Sequence, residues 1–128
     1  MTVEMFVEMP FAEDYRKLAA NPDGFPALVE KLIALEKEPM AWEGDVKALK
    51  TRVLIITGDA DVAILEHSVE LFRLLGGGVM GDMGKPLPAS RLAVMPATSH
   101  TAVINQPDLL YAFIEPFLKG ETAKGMFE

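Results

Sequence analysis

The stretch "RVLIITGDAD", Arg52–Asp61, decides the fold. Val53–Thr57 is an unbroken run of β-branched residues and leucine, the pattern of a strand covered on both faces of a parallel sheet. Gly58, Asp59, Ala60 and Asp61 then supply turn chemistry. "LEHSVELFRLL", Leu65–Leu75, predicts a helix closed by Gly76–Gly78. "RLAVM", Arg91–Met95, predicts a second buried strand, and "PATSH" carries the chain on to His100. "PDLLYAFIEPFLK" predicts a closing helix with Pro107 at its start, Gly120 after its end and a kink at Pro116. Strand, helix, strand, helix is an α/β order, with the two strands parallel and joined right-handedly.

Upstream signals are mixed. In "TVEMFVEM", Val3, Met5, Val7 and Met9 alternate with Thr2, Glu4, Phe6 and Glu8, a strand period stopped by Pro10, although Met and Glu also favour helix. Residues 10–20 read as a short helix ended by an Asn-Pro-Asp-Gly turn. "FPALVEKLIALEKE" lays Leu28, Val29, Leu32, Ile33 and Leu35 on one apolar stripe, with Pro26 in the first turn. Asp45 is placed to cap a short helix through Leu49. The Gly- and Pro-rich 76–90 segment predicts a surface loop shaping one rim of a site. It does not open a helix, so it is not a phosphate cradle. The end, residues 120–128, reads as a flexible tail.

The chain has 128 residues, suited to one domain, and half of them are hydrophobic. Its net charge of −7, with twelve scattered basic residues, argues against nucleic acid as a partner. No apolar run reaches the ~20 residues of a membrane span, and the N-terminus lacks signal-peptide character. There is no cysteine, hence no disulfide, thiolate metal site or cysteine nucleophile, which fits a cytoplasmic setting. No cofactor is expected.

Ligands of open parallel sheets gather beyond the carboxyl ends of the strands. Asp59, Asp61 and His100 all fall there. An acid bonded to one imidazole nitrogen fixes the tautomer and leaves the other nitrogen as a base. Read singly, each aspartate is an ordinary turn residue and the histidine an ordinary structural one; together they form a candidate acid–base pair. Asp59, Asp61 and His100 also have the ligand types for a divalent ion, but three ligands of this kind alone are weak grounds for a metal site. His67 reads as a solvated helix residue.

"VLIITGDADV" followed by "RLAVMPATSH" resembles the C-terminal part of an α/β-hydrolase, its seventh and eighth strands with the Gly-x-x-Asp turn and the histidine loop. "QPDLLYAFIEPFL" is similar to that family's closing helix. The resemblance covers residues 45–119, and residues 1–44 look like the end of a cap region. It implies that Asp61, not Asp59, is the acid and that His100 is the general base. It implies a partial hydrolase fold with a short sheet and helices on both faces, and an esterase-like parent activity. Ser99 stands where a glycine often precedes the histidine, and Arg52 where a proline often opens the strand.

In this family the nucleophile precedes the acid on a Gly-x-Ser-x-Gly elbow. No serine or cysteine precedes Ser68 here, and Thr2, Thr51 and Thr57 are not on elbows. Ser68, Ser90, Ser99, Thr98 and Thr101 lack that context. Asp14 and Asp23 follow no strand. The chain alone is therefore expected to be inactive, which leaves its status as an enzyme open. Two parallel strands are a poor sheet by themselves, so the chain is expected either to self-associate, as a homodimer, or to complete a partner carrying the first strands and the nucleophile.

Overall fold

A computed structural model describes residues 2–39 and 41–123. It is a mixed α/β structure, roughly half helical, with one two-stranded parallel sheet among the described residues. The chain divides between Ala41 and Trp42 into two compact units.

The first unit is all-helical: α1 (Val3–Val7), α2 (Pro10–Leu18), a 3-10 turn (Pro22–Gly24) and α3 (Phe25–Glu36). The strand expected over residues 2–9 is a helix. Val3, Phe6 and Val7 stand at helical i, i+3, i+4 spacing, and all three pack on the buried cluster of Ala12, Phe25 and Val29. A strand there would have no ladder partner within this unit, whereas Met and Glu favour helix. Proline opens both α2 and α3, where its missing N–H costs nothing. Phe25 lies between Phe11 and Tyr15, with ring centroids 6.1 and 5.2 Å away. The apolar stripe of α3 is only partly used: Val29 is buried, while Leu28, Leu32 and Leu35 stay exposed.

The second unit runs α4 (Glu43–Ala48), β1 (Leu54–Ala60), α5 (Leu65–Leu74), β2 (Arg91–Ser99), a 3-10 turn (Val103–Asn105) and α6 (Pro107–Lys119). Trp42 precedes α4, and Asp45 lies inside that helix instead of capping it. β1 and β2 pair in parallel, Leu54 opposite Arg91 through Gly58 opposite Met95. Ser90 starts the ladder, its Oγ accepting the Val53 N–H at 3.1 Å while Arg91 N–H donates to the Val53 carbonyl. α5 packs against both strands. Leu54, Ile55 and Ile56 are only half-buried. Full two-sided cover, expected from their composition, is not reached, because among the described residues β1 has a single strand beside it.

Both long helices of this unit end in the same way. Gly77 N–H bonds the Phe72 carbonyl and Gly76 N–H that of Arg73; Glu121 bonds Pro116 and Gly120 bonds Phe117. Gly76 and Gly120 take the positive φ that these double-bonded ends require, +85° and +73°. The end of α6 is also gripped by two guanidiniums. Arg52 and Arg91 lie over the Phe117 ring, 5.1 and 5.5 Å from its centroid. Arg52 donates to the Leu118 carbonyl at 2.9 Å and Arg91 to that of Glu121. Arg52 thus ties α6 to the amino end of the sheet. Of the expected tail, residues 124–128 lie outside the described residues, while Glu121 is bonded at both its N–H and its carbonyl.

Candidate acid–histidine site

β1 extends through Ala60, so Asp59 lies within the strand and Asp61 is the first residue beyond it. β2 likewise runs past Met95 to Ser99, which places His100 directly after its end. The parallel pairing brings the two residues together: His100 Nδ1 is 2.9 Å from Asp61 Oδ1.

The acid is held from several sides. Ala63 N–H donates to Oδ1 at 3.1 Å, the local loop that an aspartate forms with the amide two residues on. The Thr57 hydroxyl donates to Oδ2 at 3.2 Å, and Gly58 N–H makes a long 3.5 Å contact to the same oxygen. These donors hold the Asp61 carboxyl below its ordinary value of 3.8. The Ala63 amide is the largest cause and burial opposes it, while His100, Gly58 and Thr57 add smaller contributions. An ionised carboxylate is acceptor-only, so Nδ1 of His100 carries the proton of this bond, which leaves Nε2 as the lone-pair nitrogen of the neutral tautomer. The Asp61 side chain is 7% exposed and that of His100 64%. A fixed, nearly buried anion therefore supports a largely exposed imidazole.

Asp59 does not join this pair. Its Oδ1 accepts Thr98 N–H at 3.1 Å, across the ladder. Its carboxyl is lowered from 3.8 mainly by the Ala97 amide and then by that of Thr98. Among the described residues no group of three or more His, Asp or Glu side chains is arranged to hold a metal ion.

The remaining sequence candidates are dispersed. Ser68 is buried on α5 and Ser90 is spent on the Val53 amide. Thr98 is 1% exposed; its hydroxyl donates to the Pro96 carbonyl and accepts from Gln106 Nε2, both at 2.9 Å. Ser99 and Thr101 are exposed. Asp14 and Asp23 are exposed residues of the helical first unit. His67, expected to be solvated, is half-buried edge-on to Trp42 at 5.2 Å. An open groove of about 540 Å³ is lined by Leu87, Pro88 and Ser90 from the Gly/Pro-rich loop, with Phe72, Leu92 and Pro116 among its other walls; neither Asp61 nor His100 lines it.

Sequence reading missed Thr57 and Gln106 as supports of the site. Thr57 had one usable signal: it is four residues before Asp61, and even spacing keeps extended residues on one side. Gln106, eight residues beyond Thr98, carried none.

No family model, curated protein or solved structure matches this chain.

Proposed function

We propose that residues 42–123 are the acid–histidine half of a serine hydrolase of the α/β-hydrolase type. In this reading the nucleophile elbow and oxyanion loop belong to polypeptide outside these 128 residues. One observation carries it: the 2.9 Å pair of His100 Nδ1 and the nearly buried Asp61, at the carboxyl ends of two parallel strands. Nε2 of His100 takes the proton of an attacking hydroxyl and returns it to the leaving alcohol of an ester. Asp61 keeps the proton on Nδ1 and stabilises the imidazolium that forms between those steps.

The chain alone has no covalent route, and each missing oxyanion donor costs roughly 3–4 kcal/mol of transition-state stabilisation. Its turnover of p-nitrophenyl acetate is expected to equal that of the Asp61→Ala, His100→Ala double variant. Mixing with an N-terminal hydrolase half that carries the elbow serine is expected to give ester hydrolysis abolished by His100→Ala. If that mixture shows no binding and no His100-dependent hydrolysis, the proposal falls.

A second reading, a non-catalytic self-associating module, is favoured by the exposed apolar face of α3. Leu28, Leu32 and Leu35 are 38%, 49% and 58% exposed. It expects a dimer by sedimentation at micromolar concentration, weakened by Leu32→Glu; a compact monomer under those conditions counts against it.

A further inference from the structure

We propose that Asp59 is the positioning residue of the site: from β1 it clamps a bulge in β2 and so fixes where His100 emerges. This rests on the pairing of Asp61 with His100 described above.

Between Gly58 and Ala60 β1 advances two residues, while β2 advances four, from Met95 to Ser99. The two extra residues make a bulge, the device by which a strand re-aims the side chains that follow it. Its geometry is unfavourable by itself. Ala97 sits at φ +51°, a left-handed conformation that alanine resists. Pro96 can donate no ladder hydrogen bond.

The surroundings enforce it from three directions. Across the ladder, Asp59 Oδ1 accepts Thr98 N–H at 3.1 Å, and the Ala97 amide also acts on this carboxylate. Within the bulge, the Thr98 hydroxyl closes onto the Pro96 carbonyl. From the residue before α6, Gln106 Nε2 donates to that same hydroxyl and, at 3.4 Å, approaches the Ala102 carbonyl. Of these restraints the bond from Asp59 alone reaches across to the strand that delivers the acid. It is charge-assisted, and so stronger than its neutral neighbours. Asp59 and Asp61 divide the work: one sets the path of the chain that bears the imidazole, the other receives it. The bland alternative, a turn-forming aspartate, does not account for a side chain inside a strand bonded to an amide 39 residues away.

The test uses the full chain with 15N-labelled histidine, at a pH roughly two units above the ordinary imidazole value. The readouts are the His100 tautomer and the exchange rate of its Nδ1 proton, with far-UV circular dichroism reporting the fold. Asp59→Ala is expected to keep the fold, to shift His100 toward a mixture of tautomers and to speed Nδ1 proton exchange about tenfold. Asp59→Asn, which retains an oxygen for the Thr98 amide, is expected to restore most of the wild-type signal. An unchanged signal in folded Asp59→Ala, with Asp61→Ala abolishing it, overturns the role of Asp59 and leaves the pair standing. A wild-type signal insensitive to Asp61→Ala overturns the pair, and the inference with it. Should Asp59→Ala not fold, Asp59→Ala with Ala97→Gly takes its place, since glycine tolerates the left-handed position; the same two outcomes decide.

Discussion

The carbonyl oxygen of Thr98 occupies the space where Gly58 would carry a side chain: a Cβ built on Gly58 falls 1.9 Å from it. The two strands can approach this closely only because position 58 has no side chain, and the site lies immediately beyond the approach. Gly58 φ is not positive, so proximity and not backbone freedom selects glycine here.

Gly58→Ala should therefore force the strands apart. The obstacle is backbone, with no flexible end to move aside, so the cost is expected at or above about 3 kcal/mol, the upper part of the overpacking range. Urea denaturation at unchanged slope measures it. An alanine variant with wild-type stability would show that the bulge relaxes without loss.

Asp61→Asn should keep the Nδ1–H form of His100 but hold it more weakly. Oδ1 accepts both the fixed Ala63 N–H and the His100 ring, which favours placing the amide oxygen there and turns the amide nitrogen toward the Thr57 hydroxyl, a group that can accept as well as donate. A neutral amide oxygen is a weaker acceptor than a carboxylate. Nitrogen-15 chemical shifts of the ring report the tautomer directly. A proton moved to Nε2 would mean that the asparagine sits flipped, with its nitrogen on His100 and against the Ala63 amide.

Much of the second unit is legible in the sequence because its signals are local. β-branched runs mark β1 and β2, and glycines after Leu75 and Lys119 mark where α5 and α6 stop. Those strand ends single out Asp59, Asp61 and His100 alike; the choice of Asp61 over Asp59 rests on the resemblance and not on the strand pattern. Residues 2–9 are ambiguous because Val3 and Val7 fit a period of two and a period near four alike; Phe6, half-buried against the Ala12 cluster, breaks the tie. The bulge at Ala97 depends on a carboxylate 38 residues earlier in the chain, and no local pattern encodes such a restraint.

Acid should weaken this protein through the aspartates of the site. Asp59 and Asp61 both have folded values below 3.8. Between 3.8 and those lower values the unfolded chain binds protons that the folded chain does not. Their stabilisation is thus complete above 3.8 and is lost as pH falls through the folded values. Urea midpoints followed from neutrality to about pH 2 should drop in that window, and less steeply in Asp59→Asn and Asp61→Asn. Some slope should survive in both, since Glu4 and Glu115 are also lowered, Glu115 chiefly by Lys119.

Phe117 should matter more than either arginine that covers it. Phe117→Ala removes a buried ring, an expected loss of about 3–5 kcal/mol. Arg52→Ala removes an exposed cation–π contact of roughly 0.5–1 kcal/mol together with one carbonyl bond. Thermal denaturation of the two single variants ranks them, and an Arg52 effect equal to that of Phe117 would contradict this assignment.

The hold on Asp61 has a bearing on how far this sheet can be extended. In a parallel ladder where Arg91 N–H meets the Val53 carbonyl, the amides of Leu54, Ile56 and Gly58 turn to the side away from β2. The Gly58 amide already faces the Asp61 carboxylate. An incoming strand can recruit Leu54 and Ile56 but meets an occupied donor at Gly58. The carboxylate bonded to His100 thus also marks the point on β1 where a newcomer's ladder, after the hydrophobic Leu54 and Ile56, runs out of a free donor.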